Sequence, residues 1–323
     1  MQQGIKKKEA LIVVKYFKLL ALSLVILLAF MMVGCQPDES ATDMDTDTGE
    51  EPVTMEVVLI GHKNYSEQRL SGQMLAVLIE AKTDYPTEVI EFGGTMVAFE
   101  ALKSDEIDIY PEFTGTAYGA ILEETEILSP EETYNFVKNA FEEQFGITWL
   151  GEFGWNNTYV LSVTAETAEE LGVSNVSELV PYAGDMIMGC DNEFLGRADG
   201  LPGFKEVYGI SFKNELPMDQ GLTYAALREG EIDVNVSYST DGRIAKFNLV
   251  NLVDDKNYFP PYFVAPILKQ EFADANPAIV EALMLIKNKF SDEDAQKYNL
   301  MVDEGGDPRE VAEQALRDKG LID

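Results

Sequence analysis

One histidine, two cysteines and two tryptophans are all that the 323 residues supply. His62 and the distant Cys35 and Cys190 cannot furnish a four-ligand zinc site, so a metal centre is not expected. Basic residues are scarce as well. There are 24 Lys+Arg against 57 Asp+Glu, a formal charge of −33. A phosphate backbone would be repelled by such a chain, and no basic stripe compensates, which excludes nucleic acid as a partner. No G-x-S-x-G accompanies His62, and Gly93-Gly94-Thr95 lacks the G-K-[ST] of a phosphate loop. Carboxylate pairs are so numerous that none stands out. An enzyme therefore has little to rest on, and no cofactor is implied. The apolar content is ordinary: 46% hydrophobic residues with 25 Gly and 13 Pro suit one or two folded domains.

Residues 1–34 stand apart. Lys6, Lys7, Lys8, Lys15 and Lys18 precede an apolar run from Leu19 to Val33, interrupted only by Ser23. That order is the order of a secretory signal, and the 15-residue run falls short of the ~20 that a spanning helix needs. The run ends in Met32-Val33-Gly34-Cys35, which resembles a bacterial lipobox. The resemblance implies that Cys35 carries a lipid and becomes the new N-terminus, anchoring an extracytoplasmic chain to the membrane. Removal of five Lys and Glu9 takes the net charge from −33 to about −37. Residues 35–55 are acidic and rich in Thr and Ser, as in a solvated tether. Asp43, Asp45 and Asp47 suggest a calcium loop, but Gly49 falls one position late and Thr54 stands where a Glu is required. Cys190 is left without a partner and is expected to be a small buried hydrophobe.

From Glu56 onward, strand-like and helix-like segments alternate. Strands are predicted at 57–61, 89–92, 107–110, 159–163, 186–189, 232–236, 249–253 and 263–268. Helices are predicted at 66–81, opened by Ser66, at 96–104, and through most of 277–321. This pattern predicts α/β architecture with mainly parallel sheets. One internal echo sharpens it. Residues 101–109, ALKSDEIDI, recur as ALREGEIDV at 226–234, each a helix end, a turn and an entering strand. Five residues after Asp108 and Asp233 come Phe113 and Tyr238, followed by Thr114 and Ser239. Two such units predict two α/β lobes presenting equivalent aromatics, with a ligand cleft beyond the carboxyl ends of their strands. Phe113, Tyr159, Tyr238 and Tyr262 all fall at predicted strand ends. Ring faces attract cations, and a quaternary ammonium has no N–H with which to bind in any other way.

Further motifs carry a resemblance. Gly61–Gln68 (GHKNYSEQ), Gly93–Thr95, Glu100–Lys103, Tyr110–Ala117 (YPEFTGTA), Gly154–Tyr159 (GWNNTY), Glu193–Gly203 (EFLGRADGLPG), Val207–Gly209, Tyr238–Arg243 (YSTDGR) and Pro260–Tyr262 occur in this order. Together they resemble the substrate-binding proteins of osmoprotectant ABC transporters, which take glycine betaine, proline betaine, choline or carnitine. The resemblance spans residues 56–323. It implies a two-lobed periplasmic-binding-protein-like α/β fold joined by crossing segments, with lobe 1 at 56–152 plus 261–323 and lobe 2 at 153–260. It implies an aromatic box of Phe113, Tyr159, Tyr238 and Tyr262. Tyr is usual at the position of Phe113, so that wall lacks a hydroxyl. Lys63, Thr116 and Arg197 are implied to hold a ligand carboxylate, and Asn157 to lend a backbone carbonyl. The implied protein is a monomer, does no chemistry and delivers glycine betaine or proline betaine to an ABC permease. Choline or carnitine is the alternative within that class, and an extracytoplasmic enzyme the alternative outside it. Two cations, Lys63 and Arg197, at one end of a cleft would favour a carboxylate over the hydroxyl of choline.

Overall fold

The structure is a computed structural model and describes residues 56–323. The signal at 1–34, the lipid acceptor Cys35 and the tether at 35–55 lie outside the described residues. Ten strands form two five-stranded sheets. The first sheet has the order β2-β1-β3-β10-β4, with β1 at Val58–Lys63, β2 at Thr87–Phe92, β3 at Ile109–Phe113, β4 at Ile147–Trp149 and β10 at Val264–Lys269. The second has the order β7-β6-β8-β5-β9, with β5 at Tyr159–Thr164, β6 at Ile187–Cys190, β7 at Asn214–Pro217, β8 at Val234–Tyr238 and β9 at Leu249–Leu252. Strand β1 is buried nearly throughout, apolar over Val58–Ile60 as suits an interior strand covered on both faces, and polar only at His62 and Lys63. Edge strand β2 is half-exposed.

Each sheet departs from the parallel expectation in the same place. β10 runs antiparallel to β3 and β4, and β5 runs antiparallel to β8 and β9. These reversed strands are the ones the chain enters on crossing between the sheets, along 150–158 and 253–263. The two crossing segments pair with each other: Asn156 bridges Phe263, and the Asn157 amide donates to the Tyr262 carbonyl at 2.9 Å. Gly154 lies in the first crossing at φ +121°, where an added Cβ would meet the Phe290 carbonyl oxygen at 2.4 Å. Only glycine fits there.

The internal echo is structurally exact in its polar contacts. The Asp108 carboxylate accepts the Leu59 amide of β1 at 2.7 Å, and the Asp233 carboxylate accepts the Ile187 amide of β6 at 2.7 Å. Backbone bonds return from each Asp amide, to Leu59 and to Ile187, at 2.8 Å. Each Asp thus pins the start of a central strand to its parallel neighbour. Two short strands escaped the pattern: β4 has three residues, and β7 is a largely exposed edge. The expected cap at Ser66 is also corrected. Tyr65 holds the cap position of helix Ser66–Lys82 without a side-chain bond, and the Ser66 hydroxyl donates instead to Asp303. The C-terminal helices Asp292–Asp303 and Pro308–Asp318 pack on helix Ser66–Lys82, burying Leu70, Met74 and Leu78 with Val311 and Leu316. His62 is buried, bonded through Nδ1 to the Lys63 carbonyl, and its burial lowers its pKa; it does not line the cleft. Cys190 is buried and free, and desolvation pushes its thiol up to about 12.

Candidate functional site

The carboxyl ends of β1, β3, β6 and β8 converge on one cavity of about 500 Å³, within the range of small-molecule sites. Phe113 and Tyr238 end β3 and β8, Tyr159 begins β5, and Tyr262 comes from the second crossing segment. Lys63 ends β1, Thr116 lies in the helical turn after β3, Asn157 lies in the first crossing, and Arg197 follows helix Asn192–Gly196. All eight residues singled out from the sequence line this cavity.

The aromatic walls touch. Tyr159 lies 5.3 Å from Tyr238 and 5.7 Å from Tyr262, centroid to centroid, the second pair edge-on. Tyr65, which sequence reasoning missed, adds a further wall 5.2 Å from Tyr238. Tyr262 is held in place partly by Gly115, whose absent Cβ would come within 2.6 Å of its ring. Its hydroxyl is buried with no hydrogen-bond partner among the described residues. Burial raises the phenols of Tyr65, Tyr159, Tyr238 and Tyr262, so all four rings stay neutral.

The cations differ from the expectation. Lys63 Nζ is buried and paired with Glu112 at 2.9 Å, bonded to Thr95 at 3.3 Å, and lies over the Phe113 ring at 5.3 Å. Arg197 is forked onto Asp199, with Nε–Oδ1 at 2.8 Å, and faces Glu193 at 3.6 Å. Both positive charges therefore have carboxylate partners within the protein. What each can still offer is a spare N–H. An ammonium has three donors and a guanidinium five. The Asn157 side-chain amide is likewise committed to Glu67.

Two further acids line the cavity. Glu67 is buried at the cleft floor and accepts from Trp155 Nε1 at 2.9 Å, Asn157 Nδ2 at 3.0 Å, Asn299 Nδ2 at 2.8 Å and the Thr240 hydroxyl. Desolvation raises it to about 7 despite these four donors. It thereby ties the crossing segment and the C-terminal helix to the loop after β8. Asp191, at the end of β6, accepts the Tyr238 hydroxyl at 2.6 Å and caps helix Asn192–Gly196 through the Phe194 amide at 2.7 Å. At the cleft mouth, Glu193 of the second sheet's lobe accepts the Thr95 amide at 3.3 Å, closing the lobes over the Gly93-Gly94 turn. Among the described residues lining this cavity no nucleophile is paired with a base; the lining is polar, with tyrosine and phenylalanine rings among it.

Residues 56–318 match the family described as the substrate binding domain of the ABC-type glycine betaine transport system. The chain belongs to that family. It is a substrate-binding component of an ABC-type transport system and not an enzyme. Among curated relatives, it is 35% identical over 266 residues to the carnitine transport binding protein OpuCC of Listeria monocytogenes, covering 81% of this chain and 86% of the relative. It is 34% identical over 280 residues to the glycine-betaine-binding protein of Pseudomonas aeruginosa, covering 83% and 89% respectively. The crystal structure of a glycine betaine/carnitine/choline ABC transporter superposes with a TM-score of 0.69 at 33% identity, covering 82% of this binding protein and all of that chain. The two sheets and the cleft between them are those of the two-lobed periplasmic-binding-protein-like fold.

Proposed function

We propose that this binding protein captures glycine betaine or proline betaine between its lobes and delivers it to an ABC permease, from outside the cell membrane and tethered by a lipid on Cys35. The observation that carries the reading is the convergence of Tyr65, Phe113, Tyr159, Tyr238 and Tyr262 on one cavity. Ring faces are the usual means of holding an ammonium that has no N–H to donate. The Tyr262 hydroxyl and the remaining N–H groups of Lys63 and Arg197 suit the carboxylate end, with Thr116 beside them. Ligand contacts from both lobes favour the closed arrangement over an open one, which is how such a receptor signals that it is loaded. The lobe limits 56–152 plus 261–323 and 153–260 belong to this proposal. They are supported by sheet membership, because every strand of the first sheet lies in the first set and every strand of the second sheet in the second.

The second reading within the class is choline or carnitine, and choline, which has no carboxylate, is favoured by one observation: Lys63 and Arg197 already face Glu112 and Asp199. Net charge at that end is balanced, so a ligand carboxylate is not demanded there. Calorimetric titration with glycine betaine, proline betaine, carnitine and choline separates the readings. Tightest binding of glycine betaine or proline betaine supports the first reading, and tightest binding of choline or carnitine moves the assignment to the second. Binding of none removes both.

A further inference from the structure

Asp191 is unlike the other buried or half-buried acids of the cleft; Asp219, also without a cation, is exposed. Glu112 and Asp199 are each matched by a cation, and Glu67 is surrounded by four donors. Asp191 has only the Tyr238 hydroxyl on Oδ2 and the Phe194 amide on Oδ1. Among the described residues no Lys or Arg nitrogen lies within ion-pairing distance of it. It is half-buried and faces the cavity. Its charge bears on Tyr65, Tyr159 and Tyr238 together, three adjacent walls of the aromatic box.

We infer that Asp191 is a specificity-determining residue, the fixed counter-charge that makes the aromatic box select a cationic head over an uncharged group of the same shape. The inference rests on the quaternary-ammonium reading of the cleft and assigns to one residue the charge recognition that the rings alone supply weakly. A ring quadrupole attracts a cation by a modest amount, whereas a carboxylate carries a full charge that acts over several ångströms, here tempered by the Arg197 guanidinium nearby. The carboxylate also accepts the Tyr238 proton in a hydrogen bond and so leaves the face of that ring more electron-rich. Both effects vanish when the cation is replaced by carbon. The helix-capping role of Asp191 is separable, because Asn and Ser are equally good at a helix N-cap and carry no charge.

The test pairs each ligand with its carbon isostere: choline with 3,3-dimethylbutan-1-ol, and glycine betaine with 3,3-dimethylbutanoate. Calorimetric affinities are measured on the full-length parent, Asp191→Asn and Asp191→Ser, with thermal melts to confirm that the helix cap is retained. In the parent, the ammonium member of each pair binds more tightly. In Asp191→Asn that preference shrinks by about tenfold or more, the usual consequence of deleting one charge of a close pair, while the isosteres change little. Asp191→Ser behaves in the same way, which keeps the test valid should either variant fold poorly. An unchanged preference in a folded variant overturns the inference and leaves the aromatic cage intact. Equal losses for ammonium and isostere overturn it in favour of a purely structural role. Failure of the parent to bind any quaternary ammonium defeats the functional reading itself, a result distinct from the other two.

Discussion

The buried carboxylate of Glu67 predicts how stability varies with pH. A free glutamate titrates near 4.5, whereas Glu67 is raised to about 7 by desolvation. The difference corresponds to about 3 kcal/mol. The sign follows from which state holds the proton more tightly. Folding raises the pKa, so the stabilising contribution is complete below about pH 4.5 and is lost as the pH climbs through about 7. Between pH 5 and pH 8 the parent should therefore lose up to about 3 kcal/mol more unfolding free energy than Glu67→Gln, in which nothing ionises at that position. Asp303, raised to about 6 by burial, and the general excess of negative charge contribute to both proteins and cancel in the comparison. Urea unfolding at a series of pH values measures the two slopes. Parallel curves for parent and variant would refute the argument, since they would mean that Glu67 ionises in the folded chain as readily as in water.

Other predictions concern the cleft and the anchor. Tyr65→Ala, Tyr159→Ala, Tyr238→Ala and Tyr262→Ala should each weaken quaternary-ammonium binding by about 0.5–2 kcal/mol, with Tyr→Phe costing less. Fluorescence titration reads this directly, because Trp155 is bonded to Glu67 at the cavity floor. Gly115→Ala places a methyl 2.6 Å from the Tyr262 ring and should weaken binding by displacing that wall while the thermal melt moves less than the affinity. Cys35→Ser should abolish fatty-acid labelling and release the protein from membranes; unchanged labelling would exclude the lipid acceptor.

The parts of this molecule legible in its sequence were those in which short-range pattern and structure coincide. The repeated E-I-D at 106–108 and 231–233 marked equivalent strands because each Asp makes the same bond to its neighbouring strand. Phe113 and Tyr238 were found for the same reason. Tyr65 was missed because it lies in the loop between β1 and a helix, where neither periodicity nor a strand end draws attention to an aromatic. The pairing of Lys63 with Glu112 joins residues 49 positions apart across neighbouring strands, and no local signal reports it. Glu67 stands in the first turn of its helix, where an acid is commonplace. Its burial comes from Thr240 and Asn299, far away in the sequence. Asp191 was one acid among 57.

The pairing of Lys63 with Glu112 and of Arg197 with Asp199 has a consequence for the medium in which the protein works. Had those cations been bare, mobile anions would crowd the empty cleft and compete with the ligand as salt rose. Screening lengths contract from about 10 Å at 0.1 M to about 3 Å at 1 M. With each of those two cations answered by a neighbouring carboxylate at 2.9 Å or in direct contact, mobile anions find little positive charge in the cleft to compete for. A receptor built this way keeps its grip in brine, the condition under which a cell needs a compatible solute.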